Sequence, residues 1–424
     1  MKQKTTETPT FTGYQKFVVA ILSLLQFTII LDFMVISPLG DILMKTLDMT
    51  PSNFGLVVSG YAFSAGASGL MAAGFADKYD RKKLLVFFYV GFIVGTIFCA
   101  LSQNFWMLLS ARIVTGFFGG VIGSISLAIV TDIFALNQRG RVMGFIQMSF
   151  AVSQILGIPI GIFFANLWGW HSAFIMVVVL AAFILLAIVS KMQPVDAHLA
   201  VKSEKSALSH LWHTLRNKSY RTSFSTIALL SIGGFMLQPF GSAYLVNNIG
   251  ITQEQLPIVF FSTGIAVLFI MPIVGKLSDK INKMTLFSIG SILSILMILI
   301  YTNLPKSPLW EIIVINMILF AGIMSRIVPS QAINTTIPDI SDRGAYMAIT
   351  SSMQQIAGGI AALAAGQIVH QQGKSSPLEH YDILGYVIAV VSLCSIYLMS
   401  RVNKIAEAKK AQNQAPIEPI VDLV

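Results

Sequence analysis

Residues 73–83 read Ala73-Gly74-Phe75-Ala76-Asp77-Lys78-Tyr79-Asp80-Arg81-Lys82-Lys83, six charges in seven positions set between two long apolar runs. Roughly twenty residues on each side, from Phe54 and from Leu84, are long enough to cross a ~30 Å hydrocarbon core as helix. The charged knot is therefore expected to form a tight turn at one membrane surface. Short loops rich in Lys and Arg stay on the cytoplasmic side, so this turn orients the whole chain.

The totals agree with a polytopic membrane protein. The 424 residues are 55% hydrophobic and 11% charged, against ~25% charged in soluble domains. The net charge of +9 would point to nucleic acid in a soluble chain. Here the basic residues lie in loops on one side of the apolar segments, which orients the protein and leaves no nucleic-acid patch. Cys99 and Cys394 both fall inside predicted membrane helices, where small buried hydrophobes are expected and a disulfide is not. The first apolar run lacks a small-residue cleavage site, so no removable signal peptide is expected.

Twelve apolar segments follow, at roughly 17–39, 53–76, 84–102, 105–127, 143–165, 171–190, 223–247, 257–277, 284–303, 309–333, 345–368 and 383–400. An even number places both termini on one side. With the basic turn in the cytoplasm, that side holds 23 Lys and Arg, and the other holds Lys45, Lys306 and Lys374. Both termini are therefore expected in the cytoplasm. The longest polar interruption, 191–222, divides a six-helix bundle at 1–190 from another at 223–400, with a solvated or surface-lying cytoplasmic tail at 401–424 that shows little periodicity. The halves repeat. Asp77-Lys78-Tyr79-Asp80-Arg81 has a counterpart 202 residues on at Asp279-Lys280-Ile281-Asn282-Lys283, and Arg139-Gly140-Arg141 has one 204 residues on at Arg343-Gly344-Ala345. Two echoes at nearly one offset predict a parallel six-plus-six duplication.

The spacing small-x-x-x-Asp-Lys-x-x-Arg-Lys from Ala73 resembles the loop between helices two and three of the major facilitator superfamily, with Ala73 and Asp80 at positions where that family has Gly. The resemblance spans helices one to twelve. It implies an all-α membrane protein of twelve helices in two parallel six-helix repeats, with a gating role for Asp77, Lys78, Arg81 and Lys82 and for Asp279 and Lys280 in the second copy.

Within the oil, ionisable residues carry the information, because a charge at mid-bilayer costs about 2.5–3.5 kcal/mol on insertion scales. Asp32 lies about four residues beyond the middle of helix one, and Arg112 about four before the middle of helix four. At 1.5 Å per residue both sit roughly 6 Å from the midplane on the same side. They are expected to face one cavity and pair there; a tether between helices with no transport role stays open. Arg112 opens Arg112-Ile113-Val114-Thr115-Gly116-Phe117-Phe118-Gly119-Gly120, which resembles the superfamily's helix-four pattern, and the resemblance implies proton transfer at the Arg. Gly157-Ile158-Pro159-Ile160-Gly161, followed by Trp168-Gly169-Trp170-His171, is similar to the helix-five signature of its drug/proton antiporters. A Pro flanked by Gly also kinks a membrane helix whatever the function. Gln26, Phe235, Met236, Gln238, Arg326, Gln331, Gln354 and Gln355 are candidates for a central substrate cavity, with hydrogen bonding between helices or plain packing as the alternative.

No G-x-x-x-x-G-K-[ST] loop occurs, since Gly373-Lys374-Ser375 lacks the upstream Gly, and no zinc-type Cys/His motif, Gly-x-Ser-x-Gly or Ser-His-Asp pattern occurs, so neither ATP, a metal, a cofactor nor enzymatic chemistry is expected. The expectation is a monomeric proton-coupled antiporter in a bacterial inner membrane, exporting small amphiphilic molecules such as drugs or sugar-like metabolites. An uptake symporter on the same fold and a non-transporting sensor or scaffold are the alternatives.

Overall fold

A computed structural model describes residues 11–75, 78–196, 199, 207–339 and 342–414. Twelve long helices organise them: α1 Gly13–Val35, α2 Pro51–Phe75, α3 Arg81–Ala100, α4 Phe105–Ile133, α5 Asn137–Trp168, α6 His171–Lys191, α7 Lys218–Ile249, α8 Leu256–Lys280, α9 Lys283–Thr302, α10 Leu309–Asn334, α11 Arg343–Ile368 and α12 Tyr381–Gln414. Eleven are long and apolar enough to cross a membrane. The exception by composition is α11, whose Ser, Gln, Gly and Ala residues pack between α2 and α7. Its length still spans a bilayer, and the protein is an all-α twelve-helix membrane protein. At one end of the bundle, the terminus-bearing end, the start of α1 meets the end of α6, Gln193 N donating to Tyr14 Oη at 3.1 Å, and the extension of α12 meets the end of α10, Lys409 Nζ lying 2.6 Å from Asp339 Oδ1; the α1–α2 and α7–α8 connections meet at the other, distal end, where Asn247 Nδ2 donates to Asp41 Oδ1 at 2.6 Å.

The basic turn is held by specific contacts. Asp80 caps α3, its carboxylate accepting from Lys82 N at 2.9 Å and from Val195 N at 3.0 Å. Its counterpart Asn282 caps α9 through Met284 N at 2.8 Å. A side-chain cap is what Gly at this position would lack, which accounts for Asp80 there. Lys82 Nζ donates to the Met192 and Val189 carbonyls at the end of α6, where a cation suits the helix dipole. Arg81 Nε reaches Asp132 Oδ2 at the end of α4, 3.3 Å away.

Close approach within the first six helices depends on glycine. A Cβ at Gly116 of α4 would lie 2.3 Å from Ser64 Oγ and 2.4 Å from Tyr61 O on α2, and one at Gly120 would lie 2.3 Å from Ala65 O. The α2–α11 seam joins the halves in the same way, with Gly55 against the Ala362 carbonyl and Gly366 against Pro51 O. In α5 a π-turn at Ser153–Gly157 precedes Pro159, whose missing N–H leaves the ladder open. Gly157 and Gly161 there lie against Leu31 and Val35 of α1, and Ile155 packs on Gly264 of α8.

Two expectations change. The tail beyond residue 401 continues α12 as helix to Gln414, and Lys409 bonds Asp339 Oδ1 at 2.6 Å and the Ile337 carbonyl at 2.7 Å. The Lys409 ammonium, with the Tyr220 hydroxyl, holds the Asp339 carboxyl below the usual carboxylate range. That contribution is present at neutral pH and is lost as pH falls through the lowered value, below about 4; Asp339 is more than half exposed, so it is small. Second, Cys99 is buried but Cys394 lies on an exposed face of α12; both thiols are free.

Candidate functional site

Asp32 and Arg112 touch. Arg112 Nη1 donates to Asp32 Oδ2 at 2.8 Å and to the Asp32 carbonyl at 3.2 Å, and both side chains are 0% exposed. Each helix presents its residue for a plain reason. Asp32 falls on the face of α1 that carries Leu25, Thr28, Ile29 and Val35 inward, and the Gly116 contact brings α4 close enough to α2 that the Tyr61 ring covers the guanidinium, 4.3 Å from Cζ to the centroid. Cation–π contact of this kind is worth about 2 kcal/mol when desolvated. Thr96 Oγ1 on α3 donates to Asp32 Oδ1 at 3.4 Å, and Cys99 and Thr115 contact each other alongside at 3.7 Å. Arg112 Nε and Nη2 find no hydrogen-bond partner. The guanidinium therefore holds donors in reserve, and the pair can gain a ligand or lose its partner without dismantling a saturated network. The expectation of a shared cavity wall is corrected: the pair lies within the packing of α1, α2, α3 and α4, closed over by Tyr61 and Thr96.

The other cavity candidates do not converge on one space. Phe235 and Gln238 border a void of about 10 Å³ between α1, α2, α7 and α11, together with Phe33, Ser37 and Gly358; that is room for about one water. Phe33 bridges the halves there, its ring 5.3 Å from Tyr61 and 5.8 Å from Phe235. Met236 is buried and Gln26 half-buried. Gln355 lies on the α2 seam against Gly66, whereas Gln354, one 100° step round the helix, is exposed, as is Gln331. Arg326 is 4% exposed and turned toward α12, with Nη1 3.2 Å from Ser392 Oγ. Of the gating candidates, Arg81 and Lys82 make the contacts above, Lys78, Asp279 and Lys280 are exposed, and Asp77 lies outside the described residues. Gly157 and Gly161 are buried against α1, and Pro159 between them is buried.

A polar latch at the distal end was not legible in the sequence. Asp41, on the short helix Gly40–Thr46, is 1% exposed and accepts from Lys45 Nζ at 2.8 Å, Asn247 Nδ2 at 2.6 Å and Gln253 Nε2. Asn166 of α5 donates to the Gln253 carbonyl at 2.8 Å, Ser242 Oγ to the Ser37 carbonyl at 2.9 Å, and Gln367 to Ser52 at 2.8 Å. These bonds tie α1–α6 to α7–α12 at the distal end, which is closed. The i,i+4 spacing of Asp41 and Lys45 was the available signal; the partners from the other half were not. Asp41→Ala should loosen this end. In a Cys394→Ser background, maleimide labelling of a cysteine placed at buried Ser242 is expected to quicken about tenfold or more, since removing a buried charged acceptor strands three donors.

Comparison with known proteins follows the geometry. The family model of the Major Facilitator Superfamily matches residues 22–362 and 223–422. A protein of Helicobacter pylori (strain P12) named "Probable sugar efflux transporter" is 25% identical over 390 residues, spanning 90% of this chain and 95% of its own length. A Bacillus subtilis (strain 168) protein, "Uncharacterized MFS-type transporter YwfA", is 26% identical over 370 residues, covering 84% of this chain and 87% of that one. The crystal structure of a D-xylose-proton symporter superposes with a TM-score of 0.74 at 16% identity, over 93% of this chain and 98% of that one, a likeness of fold. Membrane helices, the twofold repeat and these matches together make the chain a transporter and no enzyme: it belongs to the Major Facilitator Superfamily.

Proposed function

We propose that this transporter is a proton-coupled exporter of small sugar-like or amphiphilic molecules, working by alternating access, with the Asp32–Arg112 pair as the coupling site. The observation that carries the reading is that pair: a carboxylate and a guanidinium, wholly buried between membrane helices, 2.8 Å apart. Two charges at that depth are costly and are kept in membrane proteins chiefly where they move protons or ions. The similarity to a protein named for sugar efflux supports the substrate class, and the excess of 23 Lys and Arg on the terminus-bearing side over 3 on the other supports cytoplasmic termini in an inner membrane.

In this reading the two six-helix halves, 1–190 and 223–400, rock as bodies about the α2–α11 seam, with 191–222 as the tether. The distal latch closed, the substrate enters from the cytoplasm. Binding displaces Arg112 or its share of Asp32, and the halves reorient. On the outer side Asp32, without its counter-ion, takes a proton; on return Arg112 re-pairs and the proton leaves inward. A 100 mV potential supplies about 2.3 kcal/mol per charge moved, near fifty-fold in concentration, with no ATP. The gating residues Asp77, Lys78, Arg81, Lys82, Asp279 and Lys280 lock the cytoplasmic side in the outward state, and the bend at Gly157, Pro159 and Gly161 lets α5 move against α8.

Inverted membrane vesicles energised to an acid interior test this. A panel of neutral, anionic and cationic sugars and drugs should contain compounds that collapse the pH gradient only in vesicles carrying the protein. Compounds that are accumulated without moving protons would overturn the coupling.

A further inference from the structure

Arg326 stands out because it lacks what Arg112 has. It lies in α10 eight residues from Asn334, roughly 12 Å in from the terminus-bearing end. It is 4% exposed, and its hydrogen-bond partner is a neutral hydroxyl, Ser392 Oγ, at 3.2 Å. Nη2 is buried with no partner at all. Among the described residues of α7–α12, the acidic side chains Asp279, Glu311, Asp382 and Glu407 stand in the first or last turn of a helix or in the extension of α12. The second half therefore encloses a guanidinium without a carboxylate.

Its surroundings are hydroxyl-rich. Ser392 and Ser395 on α12 and Ser291 and Ser294 on α9 are each 0% exposed, and the Ser291 hydroxyl has no partner. Gly290, next to Ser291, lies against the α10 backbone at this level: a Cβ there would be 2.6 Å from Ser325 Cβ and 3.0 Å from Arg326 N. Ser294 and Ser395 donate to the Gly290 and Val391 carbonyls of their own helices, which leaves their oxygens' second positions open; a planar guanidinium with a free donor, bonded to Ser392 and at the level of the unpartnered Ser291 hydroxyl, fits an oxyanion, which takes paired N–H donors and accepts from a hydroxyl in addition.

We propose that Arg326 and the serines of α9 and α12 form an anion subsite, and that the transported molecule carries a carboxylate or phosphate which this subsite neutralises when the bundle opens at its terminus-bearing end. An anionic group on the substrate brings the buried charge of the second half into balance, as Asp32 does for Arg112 in the first. Loading then becomes selective: a neutral sugar leaves Arg326 uncompensated, whereas a sugar acid pairs it. This names the substrate class and rests on the transport reading, but a binding measurement needs no proton gradient and stands apart from Asp32.

The test uses the full-length protein in lipid nanodiscs at fixed ionic strength, with sodium D-glucuronate, glucose 6-phosphate, sodium phosphate and D-glucose as probes. Saturating glucuronate is expected to raise the thermal midpoint by roughly 5 °C, glucose to leave it unchanged. Arg326→Gln keeps a donor to Ser392 and should fold at least as well, because it removes an unpaired buried charge; it is expected to weaken glucuronate binding about tenfold or more. Arg326→Lys should retain part of it. Labelled glucuronate should also exchange in counterflow with the wild type and not with Arg326→Gln. Equal protection of Arg326→Gln, or no protection of the wild type by any of these anions, overturns the proposal. Protection by phosphate alone, with neither glucuronate nor glucose 6-phosphate binding or exchanging in counterflow, overturns it too, since the anion is then an adventitious ion only and not part of a substrate.

Discussion

Replacing Asp32 with Asn is expected to lower pH-driven transport by ~100-fold or more, a loss typical of removing a group that must take and give up a proton. Asn keeps the size of the side chain and an oxygen that can accept from Arg112 Nη1, now 2.8 Å from the carboxylate. It cannot carry the proton or the charge. Arg112, 0% exposed, then sits in the membrane with no counter-ion, and breaking a buried pair from one side costs about 3–5 kcal/mol. The retained hydrogen bond should keep the stability loss near the low end. The double variant Asp32→Asn/Arg112→Gln should recover most of that stability while remaining uncoupled, because the two neutral amides can bond to each other. Thermal midpoints of the two variants against wild type, beside vesicle transport, separate loss of coupling from loss of fold. A double variant that still drives transport from a pH gradient would place coupling elsewhere.

The second large effect is on the scaffold of that site. Gly116→Val should remove most folded protein, at a cost of at least ~3 kcal/mol, above the usual range for an overpacked core because the obstacle is backbone. The new Cβ would sit 2.4 Å from the Tyr61 carbonyl, so α2 must back away from α4 and carry the Tyr61 ring off Arg112, from 4.3 Å. Gly123→Val on the same helix is the control: its Cβ meets nothing within 4 Å, and normal expression is expected. Folded yield by fluorescence-detected size exclusion compares them directly. Equal yields would mean that α2 and α4 are not held in this close contact.

Which features the sequence disclosed depends on how far apart the responsible residues lie. The basic turn was legible because its charges are contiguous and its flanks exceed the bilayer thickness. The depth match of Asp32 and Arg112 needed only the rise per residue along two helices. Facing needs more: Gln354 and Gln355 differ by one 100° step, and only the packing of α11 on α2 through Gly66 and Gly359 shows that Gln355 lies in the seam and Gln354 does not. Tyr61 over Arg112 and the Asp41 latch each join residues from separate segments, Asp41 to Asn247 across 206 positions, and no local pattern encodes such a meeting. The departure from Gly at Asp80 was visible, but its reason, the cap on Lys82 N and Val195 N, appears only with the linker folded against the turn.

The account turns on proton and substrate competing for Asp32, and the pH dependence of binding reads that competition without any gradient. The first compound found to collapse the pH gradient should be titrated against wild type and Asp32→Asn from pH 5 to pH 9. In the wild type its Kd should rise about tenfold for each unit by which pH is lowered through the range where Asp32 takes up its proton, as one exchanged proton requires; in Asp32→Asn the Kd should be flat. The same slope in both proteins would contradict the account.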